Sequence, residues 1–369
     1  MKVDGLAMRS IWLEPDGAGI GIIDQTQLPF ALVKRRLITL DEAAHAIRAM
    51  LVRGAPLIGA TAAYGMALAM RADPSDAALD RAAATLLATR PTAVNLRWAV
   101  EDLRGLLAPL PPAKRAAAAY ARAHAICEAD IADSRALAEH GVKLIEAAAI
   151  KRGNAPVNIL THCNAGWLAA VDWGTALAPI YLAQQRGLNV HVWVDETRPR
   201  NQGASLTAWE LGGAGIAHTV IADNAGGHLM QKGLVDLCIV GADRITAAGD
   251  CANKIGTYLK ALAAQDNRVP FYVAAPSTTI DWSIADGVRD IPIEHRDPSE
   301  VAEISGRLPD GRVARVRVIP DGSAAANYAF DVTPARLVTG IITERGISSA
   351  SRAGLAALFP ERAVALAGD

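Results

Sequence analysis

From residue 157 onward the chain repeats one pattern that few architectures accept. Short apolar runs at 157–160, 190–194, 219–222, 237–240 and 271–274 each have the length of a buried strand. The first four are followed by helix-like segments at 174–185, 205–211, 226–232 and 254–264. Strands that are apolar on both faces, alternating with helices, predict a parallel sheet covered on each side. A Rossmann-like α/β unit is therefore the expected fold of this part.

The earlier part has a different texture. Apolar runs at 11–13 and 20–23 flank a Pro15-Asp16-Gly17 turn, which predicts a small β element. Helical spacing begins at Leu40, with Thr39 as N-cap and Glu42 as the capping-box acid. Further helices are expected over 56–70, 75–88 and 93–107. The stretch from Pro112 to Ala148, rich in Ala, Glu, Lys and Arg, reads as one long connecting helix with Gly141 as its weak point. The expectation is a mainly helical N-terminal domain over 1–130 and an α/β catalytic domain over 131–369. Residues 312–318 alternate Arg and Val between two Pro-Asp-Gly turns, which predicts an exposed strand or hairpin arm.

Composition removes several classes of function. Lys plus Arg is 37 and Asp plus Glu 38, a net charge of -1, so the chain exerts no bulk attraction on nucleic acid or anionic membranes. The smoothest apolar stretch, 57–70, is too short to span a bilayer. The first residues carry Lys2, Asp4, Arg9 and Glu14, unlike a secretory signal. Cys127, Cys163, Cys238 and Cys251 have neither disulfide-framework nor zinc spacing, which points to free thiols in the cytoplasm. Gly17-Ala18-Gly19 lacks the third glycine of a dinucleotide fingerprint, since Ile22 stands in its place. Gly213-Ala214-Gly215 lacks it likewise, at His218.

The informative residues gather where strands should end, the edge at which open α/β sheets bind ligands. The first strand runs into Thr161-His162-Cys163-Asn164, the second into Asp195-Glu196-Thr197-Arg198-Pro199 and Gln202, the fourth into Gly241-Ala242-Asp243-Arg244. Taken alone, Cys163 is a small packed residue, and Asp243 an N-cap or the partner of Arg244. Asp195 and Glu196 would pair with Arg198 and Arg200, and His162 would be structural. Ionisable groups at several strand ends of one sheet are costly unless a ligand or reaction uses them. Asn253-Lys254 falls at an expected helix start, where backbone N–H groups and the lysine would attract an anion. Arg53-Gly54-Ala55-Pro56 and Arg90-Pro91-Thr92 put arginines beside helix ends, either capping them or meeting a phosphate.

Seven ordered motifs carry a resemblance: Arg53-Gly54-Ala55-Pro56-Leu57-Ile58-Gly59, Arg90-Pro91-Thr92-Ala93-Val94-Asn95-Leu96, Thr161-His162-Cys163-Asn164, Asp195-Glu196-Thr197-Arg198-Pro199 with Gln202-Gly203-Ala204, Gly241-Ala242-Asp243-Arg244-Ile245, Asn253-Lys254-Ile255-Gly256-Thr257-Tyr258 and Phe330-Asp331-Val332-Thr333-Pro334. From about residue 5 to about residue 350 the chain resembles the methylthioribose-1-phosphate isomerase family. That family shares a superfamily with the regulatory subunits of eukaryotic translation initiation factor 2B and with ribose-1,5-bisphosphate isomerase. The resemblance implies an aldose–ketose isomerase of methionine salvage, homodimeric, with no metal and no organic cofactor. It implies Asp243 as proton donor and Cys163 as transition-state stabiliser. Arg53, Gly54, Ala55, Arg90, Gln202, Asn253 and Lys254 are its implied substrate-binding residues. The segment Ala325-Ala326-Asn327-Tyr328-Ala329 and the long stretch 305–324 depart from the family pattern.

The implied substrate, 5-methylthioribose 1-phosphate, has its ring locked by the anomeric phosphate, so opening needs an acid at the ring oxygen. Asp243 would need burial in an apolar crevice to hold a proton at neutral pH. Cys163 would be the base at C2 or a neighbour of the developing charge, and an enediol and a hydride route both stay open. Two alternatives carry over from the same superfamily. One is a sister isomerase of ribose 1,5-bisphosphate or 5-deoxyribose 1-phosphate; the other is a non-catalytic regulatory subunit.

Overall fold

The structure, a computed structural model, describes residues 1–3, 5–90 and 92–365, so Pro91 of the Arg90 motif lies outside the described residues. After a three-stranded antiparallel sheet (Ile11–Leu13, Ile20–Ile23, Lys34–Leu37) come four helices: α1 (Leu40–Arg48), α2 (Ala55–Ala72), α3 (Asp76–Leu87) and α4 (Val94–Leu107). The Thr39–Glu42 capping box forms as the sequence predicts. α2 is apolar all round and lies buried among its neighbours, α1, α3, α4 and the next helix, α5 (Pro112–Arg152).

α5 runs its 41 residues without a break. Gly141 does not interrupt it. A Cβ there would stand 2.4 Å from the Pro179 ring, so the glycine admits α6 (Ala178–Gln185) against the rod. Along α5 the apolar partners change: Ala119, Ala123 and Ile131 face the helical core, whereas Leu137, Val142 and Ile145 face the core of the large sheet.

That sheet has seven strands in the order Gly346–Ser348, Gly340–Thr343, Phe271–Ala274, Leu237–Val240, Val157–Thr161, Val190–Asp195, Ala217–Ile221. Only the Gly346–Ser348 edge pairs antiparallel. The chain builds outward from Val157–Thr161 in one direction, then returns to its other side with Leu237–Val240. The reversal of strand order therefore falls between these two neighbours, and the carboxyl ends there form the crevice where such sheets take ligands. A second sheet joins Ile280–Asp281, Arg244–Thr246, Cys251–Lys254 and Phe330–Thr333. The 312–318 segment is a hairpin arm: Val313–Arg317 pairs antiparallel with Glu303–Arg307. Among the described residues no helix is long and apolar enough to cross a membrane.

Candidate active site

Cys163 and Asp243 stand at the ends of the two strands that flank the reversal. One crevice is lined by both, together with Arg53, Gly54, Ala55 and Asn253. Arg90 lines an adjoining hollow that shares Ala55 and Asp243. Gln202 lines a larger one that shares Arg53. Lys254 stands just behind the wall, near enough to Cys163 and Asp243 for their charges to act on its own.

Backbone geometry turns Cys163 into this crevice. Its φ is +65°, a left-handed conformation that costs a non-glycine residue about 1–3 kcal/mol. Two hydrogen bonds hold it there: its N–H donates to Thr197 Oγ1 (2.9 Å), and its carbonyl accepts from Thr207 Oγ1 (2.7 Å). Burial pushes the thiol pKa up, and the Asp243 charge adds to that. Arg53 and Lys254 pull the other way without reversing it. The resting group is a thiol rather than a thiolate.

Asp243 is half-buried, not sealed in the apolar crevice that the sequence reading expects. Its backbone N–H bonds to Ala252 O at 2.9 Å, which ties the strand end to the neighbouring Cys251–Lys254 strand. Arg244 turns away, to Asp281 (3.4 Å) and to the Thr92 carbonyl.

The cations come from both halves of the chain. Arg53 is buried, with Nη1 on Asn164 Oδ1 (2.5 Å) and Nη2 on the Asn164 carbonyl (2.8 Å). Gly54, at φ +92°, starts α2, and a Cβ on it would stand 2.4 Å from Ala169 O. Arg90 donates from Nη2 to Glu294 (2.7 Å) and lies 5.9 Å from the Phe330 ring. Lys254 Nζ donates to Ala329 O (2.8 Å), 4.5 Å from the same ring, and burial lowers its pKa. Asn253 Nδ2 donates to Thr257 Oγ1 (3.0 Å). Arg90 Nε and Gln202 Oε1 are buried with no partner among the described residues.

Two further expectations are corrected. Asn253 and Lys254 are not at a helix start but on a strand, and the following helix (Thr257–Asp266) begins later, after a left-handed Gly256. The N–H groups of Gly256 and Tyr258 are bonded to the Asp331 carboxylate (2.7 and 3.1 Å), so the anion at this helix terminus is one of the chain's own side chains. Lys254 acts by its own charge. Nor do Asp195 and Glu196 pair with Arg198 and Arg200, since Arg200 bonds to Glu300 (2.7 Å).

Asp195 instead meets His162 Nδ1 (2.8 Å), while His162 Nε2 donates to the Ile255 carbonyl (2.8 Å). With Asp223 these two place ligand atoms within 4.8 Å of one another. Lys260 occupies that cluster: its Nζ is 3.3 Å from Asp195 Oδ2 and donates to the Asp223 carbonyl. The chain's own ammonium thus supplies the positive charge there. The site reading from sequence missed Asn164, although it stands in the Thr161-His162-Cys163-Asn164 motif, and Glu210, which no motif marks.

A family model described as the initiation factor 2 subunit family matches residues 51–350. The methylthioribose-1-phosphate isomerase of Rhodospirillum centenum is 64% identical over 363 residues, covering 98% of this chain and 97% of that one. That of Acidiphilium cryptum is 65% identical over 365 residues, 99% of each. Among solved structures, 5-methylthioribose 1-phosphate isomerase from Pyrococcus horikoshii OT3 superposes with a TM-score of 0.81 at 38% identity, covering 96% of both chains. A structure titled translation initiation factor eIF-2B, subunit delta, from A. fulgidus gives 0.77 at 38% identity, covering 96% of this chain and 100% of that one.

Proposed function

The chain belongs to the initiation factor 2 subunit family and, within it, to the methylthioribose-1-phosphate isomerases, and from that premise we propose how its residues carry the reaction. It converts 5-methylthioribose 1-phosphate to 5-methylthioribulose 1-phosphate, an aldose–ketose isomerisation of methionine salvage. The observation that carries the assignment of roles is the meeting of Cys163 and Asp243 in one crevice with Arg53.

Bound substrate fills the crevice and shields the half-buried Asp243 from water, which favours its neutral form; the carboxyl gives its proton to the ring oxygen, and the C1–O4 bond breaks, leaving C1 electron-poor beside its phosphate ester. Hydrogen then moves from C2 to C1 with its bonding pair. The O2–H proton returns to Asp243 as the C2 carbonyl forms, so the acid is regenerated and no atom is gained or lost. The raised thiol supports this route over an enediol, because a base at C2 would have to be a thiolate. Cys163 sits as a neutral, polarisable neighbour of the electron-poor carbon. Arg53, Arg90 and Lys254 offer the cations, and Gly54, Ala55, Gln202 and Asn253 the close backbone and amide contacts, for the phosphate and sugar hydroxyls.

Residues 1–130 supply Arg53 and Arg90 as one domain, and 131–369 supply the thiol and the carboxyl as the other. Four free cysteines support a reducing, cytoplasmic setting, and the enzyme works as a homodimer. The regulatory-subunit alternative leaves the thiol and the carboxyl without a task.

The test is direct. Purified protein is offered methylthioribose 1-phosphate, ribose 1,5-bisphosphate and 5-deoxyribose 1-phosphate in deuterated water. Turnover of the first with no carbon-bound deuterium in the ketose is expected; Asp243→Asn should lose about 10²–10⁴-fold while remaining folded, and Cys163→Ser should lose activity while remaining folded. Deuterium at C1 would overturn the hydride route; full activity in Asp243→Asn would overturn the acid.

A further inference from the structure

Arg53 is aimed by Asn164, and Asn164 is aimed by a carboxylate that the mechanism does not touch. The Asn164 amide presents Oδ1 to the guanidinium. Which end of an amide faces a cation is decided by what the other end can bond. Here Nδ2 donates to Glu210 Oε1 (2.9 Å) and to Thr207 Oγ1 (3.2 Å). Glu210 also accepts from the Leu168 N–H (3.0 Å), the Trp167 N–H (2.9 Å) and the Tyr181 hydroxyl (2.6 Å). It is 2% exposed and has four donors, and among the described residues no cation is bonded to it.

A buried carboxylate without a counter-ion is a costly group to keep. The chain also makes room for it. A Cβ on Gly166 would stand 1.8 Å from Glu210 Oε2, so only glycine at that turn lets the carboxylate in. Burial raises the Glu210 pKa against the pull of these four donors. A glutamine has one acceptor oxygen, and its NH₂ would face N–H and O–H donors.

We infer that Glu210 is a positioning residue for the isomerisation: through Asn164 and the turn after Cys163 it fixes Arg53 toward the anionic end of the substrate. The inference rests on the isomerase reading above. A purely structural brace would lower stability without acting through Arg53.

The experiment is a double-mutant cycle on the full chain, with Glu210→Gln and Arg53→Lys singly and together. Glu210→Gln should raise KM about tenfold with kcat within about threefold, and weaken competitive inhibition by inorganic phosphate in parallel. In the Arg53→Lys background the same change should alter KM by less than about twofold. A tenfold effect that persists there, or an unchanged KM in Glu210→Gln, overturns the proposal. Should Glu210→Gln fail to fold, Tyr181→Phe removes one of the four donors. It should raise KM about threefold in the parent and not in Arg53→Lys; no change, or equal change in both, overturns it. Phosphate binding by titration calorimetry runs the same cycle without turnover. Failure of the parent to isomerise any sugar phosphate would therefore sink the assigned reaction and leave this coupling to be judged on its own.

Discussion

Replacing Gly54 by alanine should damage both stability and catalysis, by amounts that the local geometry fixes. At φ +92° and ψ 138° a side chain is strained by about 1–3 kcal/mol wherever it points. Here it also has no room, with Ala169 O at 2.4 Å and Ala169 Cα at 2.6 Å. Neither wall yields easily. Ala169 follows the turn that Glu210 pins at Trp167 and Leu168, and α2 is packed on all sides. Opening the contact to an ordinary carbon–oxygen distance takes roughly an ångström, and overpacking of this kind costs about 1–3 kcal/mol more. The expected loss is about 3 kcal/mol, read as a lower urea midpoint at unchanged slope. The same displacement carries Arg53 away from Asn164, and an ångström of misplacement is worth about 10²-fold in kcat/KM. Gly105→Ala is the control: that glycine lies exposed within α4 with nothing within 4 Å of a Cβ, so alanine should stabilise by about 0.5–1 kcal/mol. A Gly54→Ala protein within about 0.5 kcal/mol of the parent and with unaltered kcat/KM would refute the reasoning.

Two further outcomes follow from charges away from the crevice. Lys260→Met leaves the buried Asp195 without the neighbouring ammonium, and should lower stability by about 3–5 kcal/mol in chemical denaturation; a neutral effect would show the ammonium to be dispensable. Burial, helped by Glu344, pushes the Asp133 carboxyl up to about 6. The unfolded chain ionises it nearer pH 4, so the folded state is penalised as pH rises from about 4 to 6, fully above that, and not at all below. Asp133→Asn should therefore raise Tm at pH 7.5 and leave it unchanged at pH 3.5, and equal shifts at both pH values would contradict the burial argument.

Legibility in the sequence followed the range of the forces involved. The central parallel strands are plain because each is an apolar run whose burial is recorded in its own residues, and Leu237–Val240 and Phe271–Ala274 match their runs end to end; the sequence reading does not single out Gly340–Thr343, though it is buried throughout, and the edge strand Ala217–Ile221 is largely exposed rather than covered on both faces. The Thr39–Glu42 cap is equally local. Lys254 was misread because its strand depends on pairing with Phe330, dozens of residues later, and local propensity sees only the helix that follows Gly256. Gly141 looked like a break because its reason, the Pro179 ring, belongs to another helix. Within the site, Cys163 and Asp243 could be singled out as ionisable groups at strand ends. Glu210 could not: nothing near it in sequence shows that four donors converge on it.

Thiol and carboxyl belong to strands that touch in the sheet but are made far apart during synthesis. A nascent chain that has emerged only past Cys163 holds no acid beside it. One that has reached Asp243 still lacks Ala329 and Phe330, on which Lys254 rests. Competence is thus among the last properties this polypeptide acquires, and a fragment released before that segment carries no latent catalyst.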